Sequence, residues 1–193
     1  MFSSPEFMEH TGDYKMQLGD KAVDFNLLAT DGKKYKLKDF KSDILVIFFT
    51  CNHCPYAQAY EKRIIMLAKE FNGIVNFVGI NSNEDINYPQ DNYKNMVERY
   101  KERNFNFTYL RDETQEVARA YGGECTPHFL IFDQKRKLRY QGRLDDNWEN
   151  PEFVEKTELR NAIVALLEGE DVPEPITEAI GCSIKWKKPL IEA

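Results

Sequence analysis

Ile44-Leu45-Val46-Ile47-Phe48-Phe49-Thr50-Cys51-Asn52-His53-Cys54-Pro55 decides how the chain is read, because it joins an unbroken apolar run to two cysteines spaced Cys-x-x-Cys. The run Ile44 to Phe49 has no polar alternation, which is the pattern of a strand covered on both faces in a parallel sheet. After Pro55 the period changes. Tyr56, Tyr60, Ile64, Leu67, Ala68 and Phe71 recur at three- and four-residue steps, a helical stripe closed by Asn72-Gly73. A proline in the first helical turn sacrifices few of the helix's hydrogen bonds. Val75 to Ile80 supplies a second buried strand, so residues 44–80 predict a β-α-β unit with a right-handed crossover. The two cysteines therefore stand where a central strand becomes a helix.

Working outward, Val23 to Leu28 and the pair Tyr35 and Leu37 flank Asp31-Gly32, a β-hairpin signal. Downstream, residues 81–90 are polar and turn-rich. Asp91 is expected to cap a helix to about Arg103, and Asp112 or Thr114 another that ends at Tyr121-Gly122-Gly123. Phe129 to Phe132 and Leu138 to Gln141 predict an antiparallel hairpin, and a last helix spans about Phe153 to Glu168. Residues 1–17 are polar and aperiodic, a flexible N-terminal arm; residues 169–193, broken by Pro173, Pro175, Gly181 and Pro189, form an extended tail. The domain is residues 18–168: three α/β/α layers, a central mixed sheet and an N-terminal β-hairpin.

Composition narrows the function. The 42% hydrophobic and 30% charged shares match an ordinary globular chain, and no apolar run reaches the roughly 18 residues of a membrane span. A net charge of -6 without a basic stripe argues against nucleic acid as a partner. Met1 to Phe7 lack a basic stretch followed by a long apolar one, so a cytoplasmic location is expected. Four cysteines are too few for a disulfide scaffold, and the close pair points to redox or metal chemistry.

Thiolates, not thiols, attack sulfur, and helix N-termini favour negative charge. The reading puts Cys51 at the helix cap and Cys54 one turn inside. Cys51, the more exposed, attacks a target disulfide and Cys54 resolves the mixed disulfide. His53 lies between them, where a partly cationic ring favours the Cys51 thiolate; the bland alternative is a solvent-facing first-turn residue.

At these residues the chain resembles the thioredoxin superfamily, in its redoxin (AhpC/TSA-like) branch. The likeness runs over about Leu18 to Leu167. It comprises the opening Gly19-Asp20-Lys21-Ala22-Val23-Asp24-Phe25, the strand and Cys51-to-Cys54 turn, and Thr126-Pro127 before a strand. The ending Gly181-Cys182-Ser183-Ile184-Lys185-Trp186 is similar to the tail of an uncharacterised subgroup sharing the Cys-Asn-His-Cys-Pro turn. The resemblance implies that Pro127 is cis and forms the substrate-docking wall facing the dithiol. It also implies thiol-disulfide exchange on a protein or small-molecule disulfide, with a dithiol reductant as second partner and no organic cofactor. Departures are Thr50 for the family's tryptophan, Leu45 for its buried, proton-accepting aspartate, and Val23 for a proline.

If Pro127 faces the dithiol, Cys125 and His128 flank that wall, as third redox or metal groups or simply as packed residues. Cys182, in the flexible-looking tail, is a second candidate accessory thiol. Glu61 is a candidate substitute proton acceptor, against solvated surface, and Trp148 has no assigned role. Two alternatives stay open. One is a thiol-dependent peroxidase, although Cys51 occupies the place of that branch's threonine relative to Cys54. The other is a zinc- or copper-binding protein using Cys51, Cys54, Cys125 and His128 or Cys182.

Overall fold

The computed structural model describes residues 7–9 and 14–188, so the rest of the predicted arm, and residues 189–193 of the predicted tail, lie outside the described residues. In chain order the elements are β1 (Phe7–Glu9), β2 (Asn26–Ala29), β3 (Lys34–Lys36), β4 (Ile44–Phe49), α1 (Pro55–Glu70), β5 (Val75–Asn81) and α2 (Tyr93–Glu102). They continue with β6 (Thr108–Arg111), α3 (Glu116–Tyr121), β7 (Cys125–Thr126), β8 (His128–Phe132), β9 (Leu138–Gly142), α4 (Glu158–Glu168) and β10 (Ile180–Ser183).

The apolar run is an inner strand of the larger sheet, between β5 and β8. All six residues of β4 are buried, and the order is β3-β2-β6-β5-β4-β8-β9. β4, β5 and β6 run parallel, while β8, β9, β2 and β3 add antiparallel edges. Alternation along β4 builds two cores. Ile44, Val46 and Phe48 pack with Tyr60 and Ile64 of α1, Met96 of α2 and Ile163 of α4. Leu45, Ile47 and Phe49 pack with Val117 and Tyr121 of α3, and with Met16, Phe25 and Phe40. The sheet is thus sandwiched between helical layers, and the fold is thioredoxin-like.

Four local expectations change. The last helix begins at Glu158, because Pro151–Phe153 forms a separate single turn before it. Asn92, not Asp91, caps α2 through the Asn95 N–H, which frees the Asp91 carboxylate for other partners. Residues 14–16 are not loose: Tyr14 donates to the Thr177 carbonyl at 2.8 Å, and the Met16 carbonyl accepts from Gln141 at 2.8 Å. The segment after Gly169 is not a free tail either, since β10 pairs antiparallel with both β7 and β1.

The sheet register positions the cysteines. Phe49 ends β4 opposite Ile80 of β5 and His128 of β8, and the Thr50 N–H continues to the Ile80 carbonyl at 2.9 Å. Cys51 therefore emerges between the loop that follows β5 and the turn that precedes β8.

Candidate active site

Cys54 is the cap of α1 and Pro55 its first residue, so the helix starts three residues later than a Cys51 cap would give. The cause is local. A residue before proline is pushed out of the helical region, and Cys54 has φ -70 and ψ 123. Both thiols are buried, Cys51 at 2% and Cys54 at 0% exposure, so Cys51 is the more exposed of the two only by a trace. They share a small cluster with Ala57 and Cys182, against which Tyr56 packs.

Thr126 spans the couple. Its hydroxyl lies 3.4 Å from Cys51 Sγ, and its carbonyl accepts from Cys54 Sγ at 3.1 Å. The Thr126-Pro127 peptide is cis. At this peptide it is Thr126 that makes polar contacts to both thiols.

The electrostatics reverse the sequence expectation. Burial opposes ionisation of Cys54. Hydrogen bonds from Cys182 and Cys51, the Ala57 N–H and the Thr126 hydroxyl outweigh it and hold this thiol well below its ordinary range. Burial pushes Cys51 up, as do its bond to Cys54 and the nearby Asp91 carboxylate. Of the two sulfurs Cys54 is thus the one whose ionised form is favoured, with the Ala57 N–H to hold it; on losing its proton it gives up its bond to the Thr126 carbonyl.

On the other side of Cys51 stands a carboxylate read from the sequence only as a helix cap. Asp91 is fully buried. Its oxygens accept from the Asn52 N–H at 2.6 Å, Asn83 Nδ2 at 2.9 Å, Asn81 Nδ2 at 3.3 Å and His53 Nδ1. Burial alone would raise its pKa, but these donors, His53 first, hold it below the ordinary carboxylate value. With Asp91 ionised, His53 donates through Nδ1, which leaves Nε2 as its basic atom. The ring stacks on Tyr88 at 5.1 Å between centroids. Ligating atoms of Cys51, His53 and Asp91 lie within 4.8 Å of one another. Asn52 completes the setting, accepting from Tyr109 at 2.9 Å and donating to the Gln90 carbonyl at 2.8 Å. The signal for Asp91 was its position: a polar stretch that follows a buried parallel strand at the edge where the cysteines emerge.

The other candidates divide. Cys182 lies on β10 opposite Thr126, is buried, and hydrogen-bonds Cys54. Cys125, one residue before Thr126, instead packs with Tyr14 and Ala179, and its sulfur contacts the Pro127 carbonyl at 3.8 Å. His128 is buried and stacks on Tyr14 at 4.8 Å. The metal set of Cys51, Cys54, Cys125 and His128 or Cys182 is therefore not assembled. Among the described residues the close trio is Cys51, His53 and Asp91, and its carboxylate is already occupied by amide donors. Glu61 is buried, not solvated surface: it binds Arg99 at 2.6 Å and ties α1 to α2. Trp148 packs on Tyr56, with centroids 4.2 Å apart.

Comparison with known proteins shows where the chain belongs. The chain is similar to the crystal structure of an uncharacterized conserved protein from Geobacillus kaustophilus, with 42% identity and a TM-score of 0.90, over 97% of this chain and 100% of that one. A hypothetical protein from Sinorhizobium meliloti 1021 shares 33% identity and a TM-score of 0.87, over 95% and 100%. Thiol-disulfide oxidoreductase ResA of Bacillus thuringiensis subsp. konkukian (strain 97-27) is 27% identical over 132 residues, 66% of this chain and 70% of that protein. Among the described residues, no helix is long and apolar enough to cross a membrane. Residues 18–141, a span that includes the cysteine couple, His53, Asp91 and Thr126-Pro127, match the AhpC/TSA family model, and the chain belongs to the AhpC/TSA family.

Proposed function

We propose that this protein is a thiol-disulfide oxidoreductase in which Cys51 and Cys54 cycle between dithiol and disulfide. The observation that carries the reading is the hydrogen-bonded Cys51-Cys54 couple at the start of α1, with Thr126 on one side and the His53-Asp91 pair on the other.

In the reductive direction, His53 takes the Cys51 proton while Asp91 stabilises the resulting imidazolium. The Cys51 thiolate attacks one sulfur of a substrate disulfide. That S–S bond breaks, and the departing thiolate takes the proton from His53. The Cys54 thiolate then attacks Cys51 Sγ and forms the internal disulfide, and the second substrate thiolate leaves and is protonated by solvent. The substrate gains two electrons and the couple loses two. The low pKa of Cys54 thus serves resolution, and the His53-Asp91 pair supplies the proton acceptor that Leu45 does not. A second dithiol returns the couple to the reduced state. Because both sulfurs are buried, substrate entry requires movement around Tyr56 and Thr126.

A glutathione titration followed by alkylation and mass measurement tests the reading. A reversible two-electron transition at Cys51 and Cys54, between about -270 and -120 mV and lost in Cys51→Ser, supports it. No Cys51-Cys54 disulfide at any poise rejects it.

A further inference from the structure

Cys182 occupies a place that a passive tail thiol would not. β10 lies antiparallel to β7 with Cys182 directly opposite Thr126, the residue that contacts both sulfurs of the couple. Its thiol is buried in the same cluster as Cys51 and Cys54 and is hydrogen-bonded to Cys54. Cys54 therefore has a sulfur neighbour on each side.

The strand is held there from both ends. Gly181 packs so close to β7 that a Cβ on it would lie 2.1 Å from the Thr126 carbonyl oxygen, which only glycine permits. Beyond Ser183, the Lys185 N–H donates to Asn83 Oδ1 at 2.8 Å, and the Lys185 carbonyl accepts from the Glu84 N–H and Gln115 Nε2, each at 2.8 Å. Asn83 is also a donor to Asp91, so one polar network carries both the anchor of β10 and the carboxylate beside Cys51. Cys125, on the neighbouring strand, has none of this: it faces the separate Tyr14 and Ala179 cluster.

We propose that Cys182 is a third redox thiol, which takes the disulfide from Cys51 by bonding to Cys54, so that the oxidised protein interconverts between Cys51-Cys54 and Cys54-Cys182 linkages. This rests on the reading of the couple given above. In the step, the Cys182 thiolate attacks Cys54 Sγ, the bond from Cys54 to Cys51 breaks, and Cys51 leaves as a thiolate that takes up the proton Cys182 released. One disulfide is lost and one is made, so no further oxidant is consumed. The chain then holds its two-electron oxidation between α1 and β10 while Cys51 is again a free thiol. A reductant retrieves it by the reverse step, through Cys51.

The test uses the full chain, reduced and then treated with oxidised glutathione, quenched in acid, alkylated and digested without reductant, with each linkage identified by mass. Wild type is expected to show both disulfides and Cys182→Ser only Cys51-Cys54. In Cys51→Ser, Cys54 first takes glutathione and Cys182 then displaces it, giving Cys54-Cys182. Cys51→Ala, with folding checked by circular dichroism, repeats this arm should the serine disturb the cluster. A wild type with Cys51-Cys54 alone, together with a Cys51→Ser protein arrested as the Cys54-glutathione mixed disulfide, overturns the relay and leaves the couple standing. Absence of the Cys51-Cys54 bond from both wild type and Cys182→Ser overturns the couple and the relay with it.

Discussion

The two flanks of the dithiol are built from opposite materials. Beside Cys51 lies a charged, amide-lined pocket, with His53 on the buried Asp91 carboxylate and Asn52, Asn81 and Asn83 donating to it. Beside Cys54 lies a nearly dry sulfur cluster of Cys182 and Ala57, closed by the Thr126 carbonyl. Low local dielectric strengthens both. On the first flank it holds the His53-Asp91 pair, the proposed proton acceptor. On the second it leaves hydrogen bonds, the Ala57 N–H among them, as the means of holding charge on sulfur. Two residues of one tetrapeptide thereby acquire different chemistry from their neighbours.

Removing either sulfur of the couple is the strongest way to break this division. Cys54→Ser is expected to lower disulfide reduction to the uncatalysed background, and Cys51→Ser to leave only the slower exchange through Cys54 and Cys182, both measured with a chromogenic disulfide and a dithiol reductant. They differ in what oxidation then makes: Cys51→Ser keeps a partner for Cys54, and Cys54→Ser does not. Equal linkage patterns in the two would erase the distinction between the flanks.

The acid-base flank is probed by His53→Ala, for which we expect the exchange rate at neutral pH to fall about a hundredfold, the lower end of what a positioned base supplies. The loss should shrink as pH rises and Cys51 ionises unaided, so the rate-pH profile separates this role from simple structural damage. A uniform loss at every pH would remove His53 from proton transfer.

The sulfur flank is probed through its backbone. Gly181→Ala forces a methyl against the Thr126 carbonyl, and a cost of about 1–3 kcal/mol in urea unfolding is expected. The share of Cys54-Cys182 relative to Cys51-Cys54 should fall with it. Unchanged stability would mean that β10 yields easily.

The smallest effect concerns acid. Asp91 has its carboxyl held below the unfolded value, so its contribution is complete above about pH 4 and is lost as pH falls through the lower folded value. Asp91→Asn removes this contribution, and its urea midpoint should fall less steeply than that of wild type below about pH 4. Parallel curves would show that Asp91 gains nothing from its donors.

Much of this was written in local pattern. The run Ile44 to Phe49, the stripe from Tyr56 to Phe71 and the strand to Asn81 follow from period alone, because a doubly covered strand has no polar position and a packed helix repeats at 3.6. The same holds for the hairpins around Gly32 and Asp133 and for the place of the cysteines at a strand-helix junction. The cap position was missed by three residues, since the constraint of Pro55 on Cys54 outweighed the usual preference for a cap further upstream.

What the sequence by itself determined is therefore the layered α/β fold and the presence of a dithiol in its central turn: both depend on contacts close along the chain. Only the tertiary structure decided which sulfur is the easier to ionise, which carboxylate stands beside Cys51 and that Cys182 lies with Cys54. Asp91 is 38 residues from His53, and Cys182 is opposite Thr126 with a separation of 56. Such pairings arise from strand register and loop closure, which leave no periodic trace in the residues they bring together.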